Sequence, residues 1–259
     1  MATQVTTWTE FVNAFVSNSI TEIDIMNDLD CNEDLPTAQI RAGTTKTISG
    51  NYHTIWNLST GAVVNAYLIN ADGRSITWSK VNFNNIYRNE SYPVFHGYSN
   101  PIIFNDCTFV AKCPDRLFDI ATLNRCAVTF TGSSHVSPFL GVTANYCWIK
   151  YEHKRNINNT NPEFTYLNTC YLEGKITTDL SSYSSAFDFS YSIDSCVINV
   201  ETDLPVHLSS NSDTTRPVTV YNTDKISNYT GSLSFVKGVT DTQMKDASYL
   251  SSVGFNIIV

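Results

Sequence analysis

One short phrase recurs five times between residues 101 and 200, and it limits the folds open to the chain more than any other feature. The copies are Phe104-Asn105-Asp106-Cys107, Leu123-Asn124-Arg125-Cys126, Ala144-Asn145-Tyr146-Cys147, Leu167-Asn168-Thr169-Cys170 and Ile193-Asp194-Ser195-Cys196. Two residues after each cysteine stands a further apolar residue: Phe109, Val128, Ile149, Leu172 and Ile198. The cysteines are 19, 21, 23 and 26 residues apart. That spread is too wide for a heptad or a tandem helix pair. It suits coils of one solenoid whose strands are constant while their loops vary.

Residue chemistry points the same way. Asn and Asp tolerate left-handed backbone better than other residues with a Cβ, so the Asn is expected to make a sharp bend between two strands. After the bend, the cysteine and the apolar residue two further on face the same side, because side chains alternate along a strand. The expectation is an inward column of Cys107, Cys126, Cys147, Cys170 and Cys196. Beside it should run a ladder of Asn105, Asn124, Asn145, Asn168 and Asp194, each amide bonding to the next coil.

Charged residues make up 15% of the chain, net charge is −8 and the pI is about 5.0. No basic stripe can follow a phosphate backbone, which argues against nucleic acid and against an anionic membrane surface as partners. No basic segment followed by an apolar run opens the chain, so neither a signal peptide nor a membrane-inserted helix is expected. Of the seven cysteines, five share one position of the repeat, and they read as free, buried thiols rather than disulfides. No Cys-x-x-Cys or histidine pair accompanies them, so no metal or other cofactor is expected.

The segments 1–19, 20–225 and 226–259 read as an N-terminal capping helix, a parallel β-helix and a C-terminal cap. Thr7-Trp8-Thr9-Glu10 has capping-box spacing, with Trp8, Phe11, Val12 and Phe15 at helical intervals. Ile20 to Ile25 begins the coils, and Trp78-Ser79-Lys80-Val81-Asn82-Phe83 repeats the phrase with Ser and Val at the Asn and Cys positions. Counting back from Val81 puts Ile55 and Cys31 in the cysteine column, and counting on from Cys196 adds Val220. About nine coils follow, a rod roughly 40 Å long at the usual strand spacing. Loops are expected at 87–100, 151–162, 179–185 and 203–217. Thr240 to Gln243 is a second capping box; a helix and then a short strand should close the far end.

The phrase Phe104-Asn105-Asp106-Cys107-Thr108-Phe109 and its copies resemble the asparagine-turn and inner-stack pattern of the right-handed parallel β-helix, or pectate-lyase-like, superfamily. The resemblance covers roughly residues 20 to 225. The opening, Trp8 to Ala14 leading into Ile23-Asp24-Ile25 and Ile48-Ser49-Gly50-Asn51, is similar to short β-helix proteins of bacteriophages and prophages. So is the closing Val239 to Asp246 followed by Gly254-Phe255. That resemblance implies an all-β rod that is a virion component, such as a tail, baseplate, head-fibre or decoration protein. Such a protein is made in the bacterial cytoplasm and contacts other virion proteins, with a homotrimer and host-surface polysaccharide as further partners.

Many β-helix relatives cleave polysaccharides, which requires paired carboxylates or acidic residues around calcium plus a base. Asp106, Asp115, Asp119, Asp188 and Asp194 are the candidate carboxylates, with Arg116, Arg125 and Lys150 as bases or clamps. No acidic row continues from coil to coil, and strand alternation turns Asp119 and Asp188 outward into solvent. The five histidines, His53, His96, His135, His153 and His207, read as loop or turn residues. No catalytic residue is assigned. Binding is better supported. Trp148 and Tyr171 each follow a column cysteine and should face outward on adjacent coils; with Tyr92, Tyr98 and Tyr191 they are candidates for stacking on sugar rings or a protein partner. The expectation is a non-enzymatic structural protein, with a polysaccharide lyase or glycoside hydrolase as the alternative.

Overall fold

A computed structural model describes residues 1–34, 38–59, 67–87, 92–112, 116–134, 139–155, 164–178, 187–207, 218–230 and 236–255. Each strand pairs in parallel with a strand one circuit away, so the chain winds into a parallel β-solenoid. On the first face Phe104, Leu123, Ala144, Leu167 and Ile193 lie in register, as do Asn105, Asn124, Asn145, Asn168 and Asp194. After the corner, Phe109, Val128, Ile149, Leu172 and Ile198 stack on the second face. The third face stacks Ile40, Ile69, Phe95, Phe118 and Phe139 in register; there the register shifts, so that Phe164 pairs with Val142 while its ring stacks on Phe139, and Phe164 pairs in turn with Phe189. Its levels make about seven complete turns rather than about nine. The other two faces carry extra strands at the ends, from Thr3–Val5 to Val236–Val239, so strand pairing runs past residues 20 and 225.

Each phrase is the corner between the first and second faces, but the left-handed residue is not the Asn. It is the next one: Asp106, Arg125, Tyr146, Thr169 and Ser195 have φ of 54°, 52°, 56°, 53° and 51°. The Asn stays in its strand, where its amide can reach the neighbouring turn. Asn124 Nδ2 donates to Asn105 Oδ1 at 2.9 Å, Asn145 to Asn124 at 2.9 Å and Asn168 to Asn145 at 3.5 Å. The left-handed residue turns its own N–H to the Asn-position carbonyl of the next turn, as from Asp106 to Asn124 and from Thr169 to Asp194. The backbone ladder therefore passes through the corner with few polar groups left over.

Counting residues outward from the phrases misplaces the register at both ends. Ile55 pairs with Leu29 and Phe83, which puts it in the Phe109 column, two residues beyond the cysteine position. Cys31 lies outside that pairing, in the short 3-10 turn Cys31–Glu33. Val197 pairs with Val220, so Thr219, not Val220, succeeds Cys196; Cys196 N donates to Thr219 Oγ1 at 3.4 Å. Loops of variable length break any fixed count. The corner phrase alone marks the register.

Helix α1, Trp8–Val16, starts at Thr7, whose hydroxyl accepts from Glu10 N while the Glu10 carboxylate accepts from Thr7 N. It buries Trp8, Phe11, Ala14 and Phe15, and the Phe11 and Phe15 rings meet Trp78 of the solenoid core at 5.4 and 6.2 Å. The end of α1 is held from below by Lys46. This lysine is fully buried, and its Nζ donates to the carbonyls of Ala14 (3.1 Å), Ser17 (2.7 Å) and Ile20. A cation here meets the negative end of the helix dipole and occupies carbonyls that would otherwise be orphaned.

The C-terminal segment is two helices, α2 at Asp241–Met244 and α3 at Ala247–Ser252, because Asp246 caps α3 and ends the first helix. They do not simply close the far end of the rod. Met244, Leu250 and Phe255 bury themselves with Val197, Val220 and Val239 in a second, smaller core on the outer side of the last second-face strands. The strand expected after this helix falls largely on residues 256–259, outside the described residues.

Thr169 is a β-branched residue held left-handed, a conformation that costs about 1–2 kcal/mol. Thr169→Asn should therefore raise the thermal midpoint by roughly 2–4 °C in a melt followed by circular dichroism. Lys46→Met keeps the aliphatic stem but strands three carbonyls; it should lower stability by about 3 kcal/mol in denaturant titration.

Candidate functional site

On the third face, alternation turns Asn70, His96, Asp119 and Leu140 away from the core, one per turn in register. Outward here does not mean solvated. His96 and Asp119 are 5% and 8% exposed, and His96 Nδ1 lies 2.8 Å from Asp119 Oδ2. Tyr67 stacks on the imidazole, with ring centres 3.5 Å apart and planes 9° from parallel. Tyr98 stands edge-on to His96 and Tyr92 edge-on to Tyr67, each at 5.8 Å. Burial, and then the Asp119 charge, push the Tyr67 hydroxyl above its ordinary pKa, while Arg116 pulls against them.

Two buried polar atoms in this group, His96 Nε2 and Arg116 Nε, have no hydrogen-bond partner. The backbone beneath is unusual as well. Ile120, next to Asp119, is left-handed with φ 57°, a rare state for a β-branched side chain that costs about 1–2 kcal/mol. Gly97, next to His96, lies so close to this kink that a Cβ there would sit 2.2 Å from the Ile120 carbonyl oxygen. Strained backbone and unpaired buried polar atoms around one imidazole mark the group as a candidate site.

Asp119 is thus not part of a solvated face, and His96 is a strand residue, as are His153 and His207. Tyr92, Tyr98, Arg116 and Asp119 come together; Tyr67 and Asn70, which were not singled out from sequence, and His96, which was read there as a loop or turn residue, complete the group. A signal existed, since Phe95-His96 and Phe118-Asp119 share an apolar–polar pair 23 residues apart. The other candidates are scattered. Asp106 forms a two-point pair with Arg125, both bonds 2.7 Å, which holds its carboxyl below the usual carboxylate range. Lys150 Nζ is 3.9 Å from Glu173, and Asp194 accepts from Ser195 Oγ at 3.1 Å. Asp115 and His135 lie outside the described residues, and of Asp188 and Tyr191 only the strand Phe187–Asp194 is described.

Trp148 and Tyr171 are neighbours on the second face, and Trp148 is exposed. Tyr171 is not free, however: it packs against the core built by α2 and α3, and its hydroxyl accepts from Asn199 Nδ2 at 3.5 Å. The expected aromatic row is therefore cut at Trp148 by the C-terminal helices.

Within the corners, Cys107, Cys126, Cys147, Cys170 and Cys196 are free and buried, as is Cys31. Each corner thiol donates to the carbonyl two residues before it, at 3.1–3.4 Å. Burial pushes the Cys31 thiol up to about 11. Cys126, although lowered by its bond with Cys107, is pushed up to about 12 by Cys147 and by burial. Thiols in this state are poor nucleophiles and poor metal ligands. Among the described residues no group of three or more His, Cys, Asp or Glu could hold a metal ion.

Residues 2–109 match the family model described as "Putative pectate lyase-like adhesive domain". That match and the parallel β-solenoid together fit a pectate-lyase-like β-helix. The matched stretch takes in α1, the first turns of this β-helix and the residues Tyr67, Tyr92, His96 and Tyr98, and it ends before Arg116 and Asp119. No curated protein and no solved structure matches the β-helix. Its likeness is to an adhesive module built on this fold.

Since the corner thiols and Cys31 are buried, a Cys113→Ser background should show no reaction with a thiol reagent at pH 8 in native buffer. All six remaining thiols should react at once in guanidinium chloride, as counted by absorbance.

Proposed function

We propose that this β-helix is a non-enzymatic adhesive component of a bacteriophage particle, at the tail, baseplate, head fibre or as a decoration, and that it contacts host-surface polysaccharide. The observation that carries the adhesive part is the gathering of Tyr67, Tyr92 and Tyr98 around the buried His96–Asp119 pair. Tyrosines with an apolar face and a polar tip, beside fixed hydrogen-bonding groups, are what a sugar-binding surface needs. The match of residues 2–109 to an adhesive-domain model supports it. The virion part rests on the resemblance of the opening and closing segments to phage β-helices. In that setting the chain is made in the host cytoplasm and its partners are other virion proteins or two further copies of itself.

Cleavage of the glycan is the second reading, and one observation favours it: a histidine oriented by a carboxylate is the geometry of a general base. Against it, Nε2 is buried, and Asp119 pairs with His96 rather than facing a second carboxylate across a groove, as glycoside hydrolysis uses. Capsular and cell-wall polysaccharides incubated with the protein should be retained by it without new reducing ends or absorbance from unsaturated sugars. Release of either product would make the protein an enzyme.

A further inference from the structure

We infer that His96, Asp119, Arg116 and the tyrosines beside them bind a neutral, hydroxyl-rich sugar ring, with His96 as the residue that selects it; this rests on the glycan-contact reading above. The two unpaired atoms specify the ligand. The Asp119 carboxylate only accepts, so His96 Nδ1 carries the proton between them and Nε2 is the ring nitrogen left for a ligand, whereas Arg116 Nε is a donor. A buried polar atom left unpaired is costly, so a ligand that satisfies both gains on each. A hydroxyl both gives and accepts a hydrogen bond, so the hydroxyls of a sugar can serve either kind of atom.

Charge favours a neutral ring, because at the site the Asp119 carboxylate and the Arg116 guanidinium oppose each other and leave no net charge for an ionic sugar to answer. The chain as a whole carries −8, so a polyanionic glycan is repelled at long range. Tyr98, 65% exposed and edge-on to His96, is the ring that swings aside to admit the sugar and then packs on its apolar face. The rigid parts are below: the Ile120 kink and the close approach at Gly97 keep His96 and Asp119 in place.

The test is equilibrium binding of the full chain, by biolayer interferometry, to dextran, mannan and galactan as neutral probes and to polygalacturonate as the anionic one. The expected result is retention of at least one neutral polymer in preference to polygalacturonate at low and high salt. Tyr98→Ala should weaken it about tenfold while the thermal melt is unchanged. His96→Gln should weaken it likewise, and His96→Phe should abolish it. Should His96→Gln fail to fold, Tyr98→Ala still decides, because an exposed ring is not needed by the core. Preference for polygalacturonate, or full binding by Tyr98→Ala and His96→Gln together with loss in Trp148→Ala, would overturn the site while leaving the adhesive reading intact. Retention of none of the four polymers would overturn the glycan reading itself.

Discussion

Everything in this rod depends on a corner that turns the chain without dropping a backbone hydrogen bond. A strand in a parallel stack has no partner in its own hairpin; its N–H and C=O groups are satisfied only by the turns above and below. At the corner the left-handed residue directs its N–H to the next turn, and the residue after the cysteine directs its N–H back to the previous turn's cysteine carbonyl, as Ala127 does to Cys107 and Trp148 to Cys126. The small thiol fits inside the bend and donates to a carbonyl close by. Asparagine at the preceding position adds a second bond between turns, from side chain to side chain. Each residue type in the phrase therefore has a separate task, and the left-handed position, whose shared task is a backbone one, is the one free to vary among Asp106, Arg125, Tyr146, Thr169 and Ser195.

Such a stack has two ends, and each needs a different solution. At the start, α1 lays Trp8, Phe11 and Phe15 over the apolar cross-section, and buried Lys46 ties the helix end to the strand beneath it. At the finish, α2 and α3 form their own core on the outer side of the last strands, with Val197 and Val220 as its floor. That second arrangement explains why outward positions near the C-terminus are apolar. It also removes Tyr171 from the set of exposed aromatics.

The parallel solenoid and its helical ends were legible because the corner phrase and the two capping boxes are local signals: each names its own structure within four to six residues. The number of turns was not, because extending the register by counting assumes loops of equal length, and Ile55 and Val220 show the error as slips of two and one residues. The site was legible only in pieces. Tyr92 and Tyr98 could be noticed as aromatics and Asp119 as a carboxylate, but alternation alone assigns Asp119 to solvent. What buries it is Tyr67, 52 residues earlier, laid on His96. No local pattern encodes a contact made by three successive turns.

The third face is also where such a contact can arise at least cost. On the first and second faces the corner phrase sets every outward position within a few residues of a stacked Asn or Cys, so a change there disturbs the ladder of the next turn. On the third face the early strands, Ile40–Arg41, Ile69–Asn70 and Phe95–His96, are two residues long. One residue of each, Ile40, Ile69 or Phe95, suffices to hold the core, and the other is released to carry Arg41, Asn70 or His96. Stacking then brings the released residues together at the spacing of neighbouring strands, about 4.8 Å, close enough for His96 to reach Asp119 without any change in the core. A short strand beside long connections is thus the part where polar groups can be gathered, and the left-handed Ile120 is the local strain that this arrangement retains.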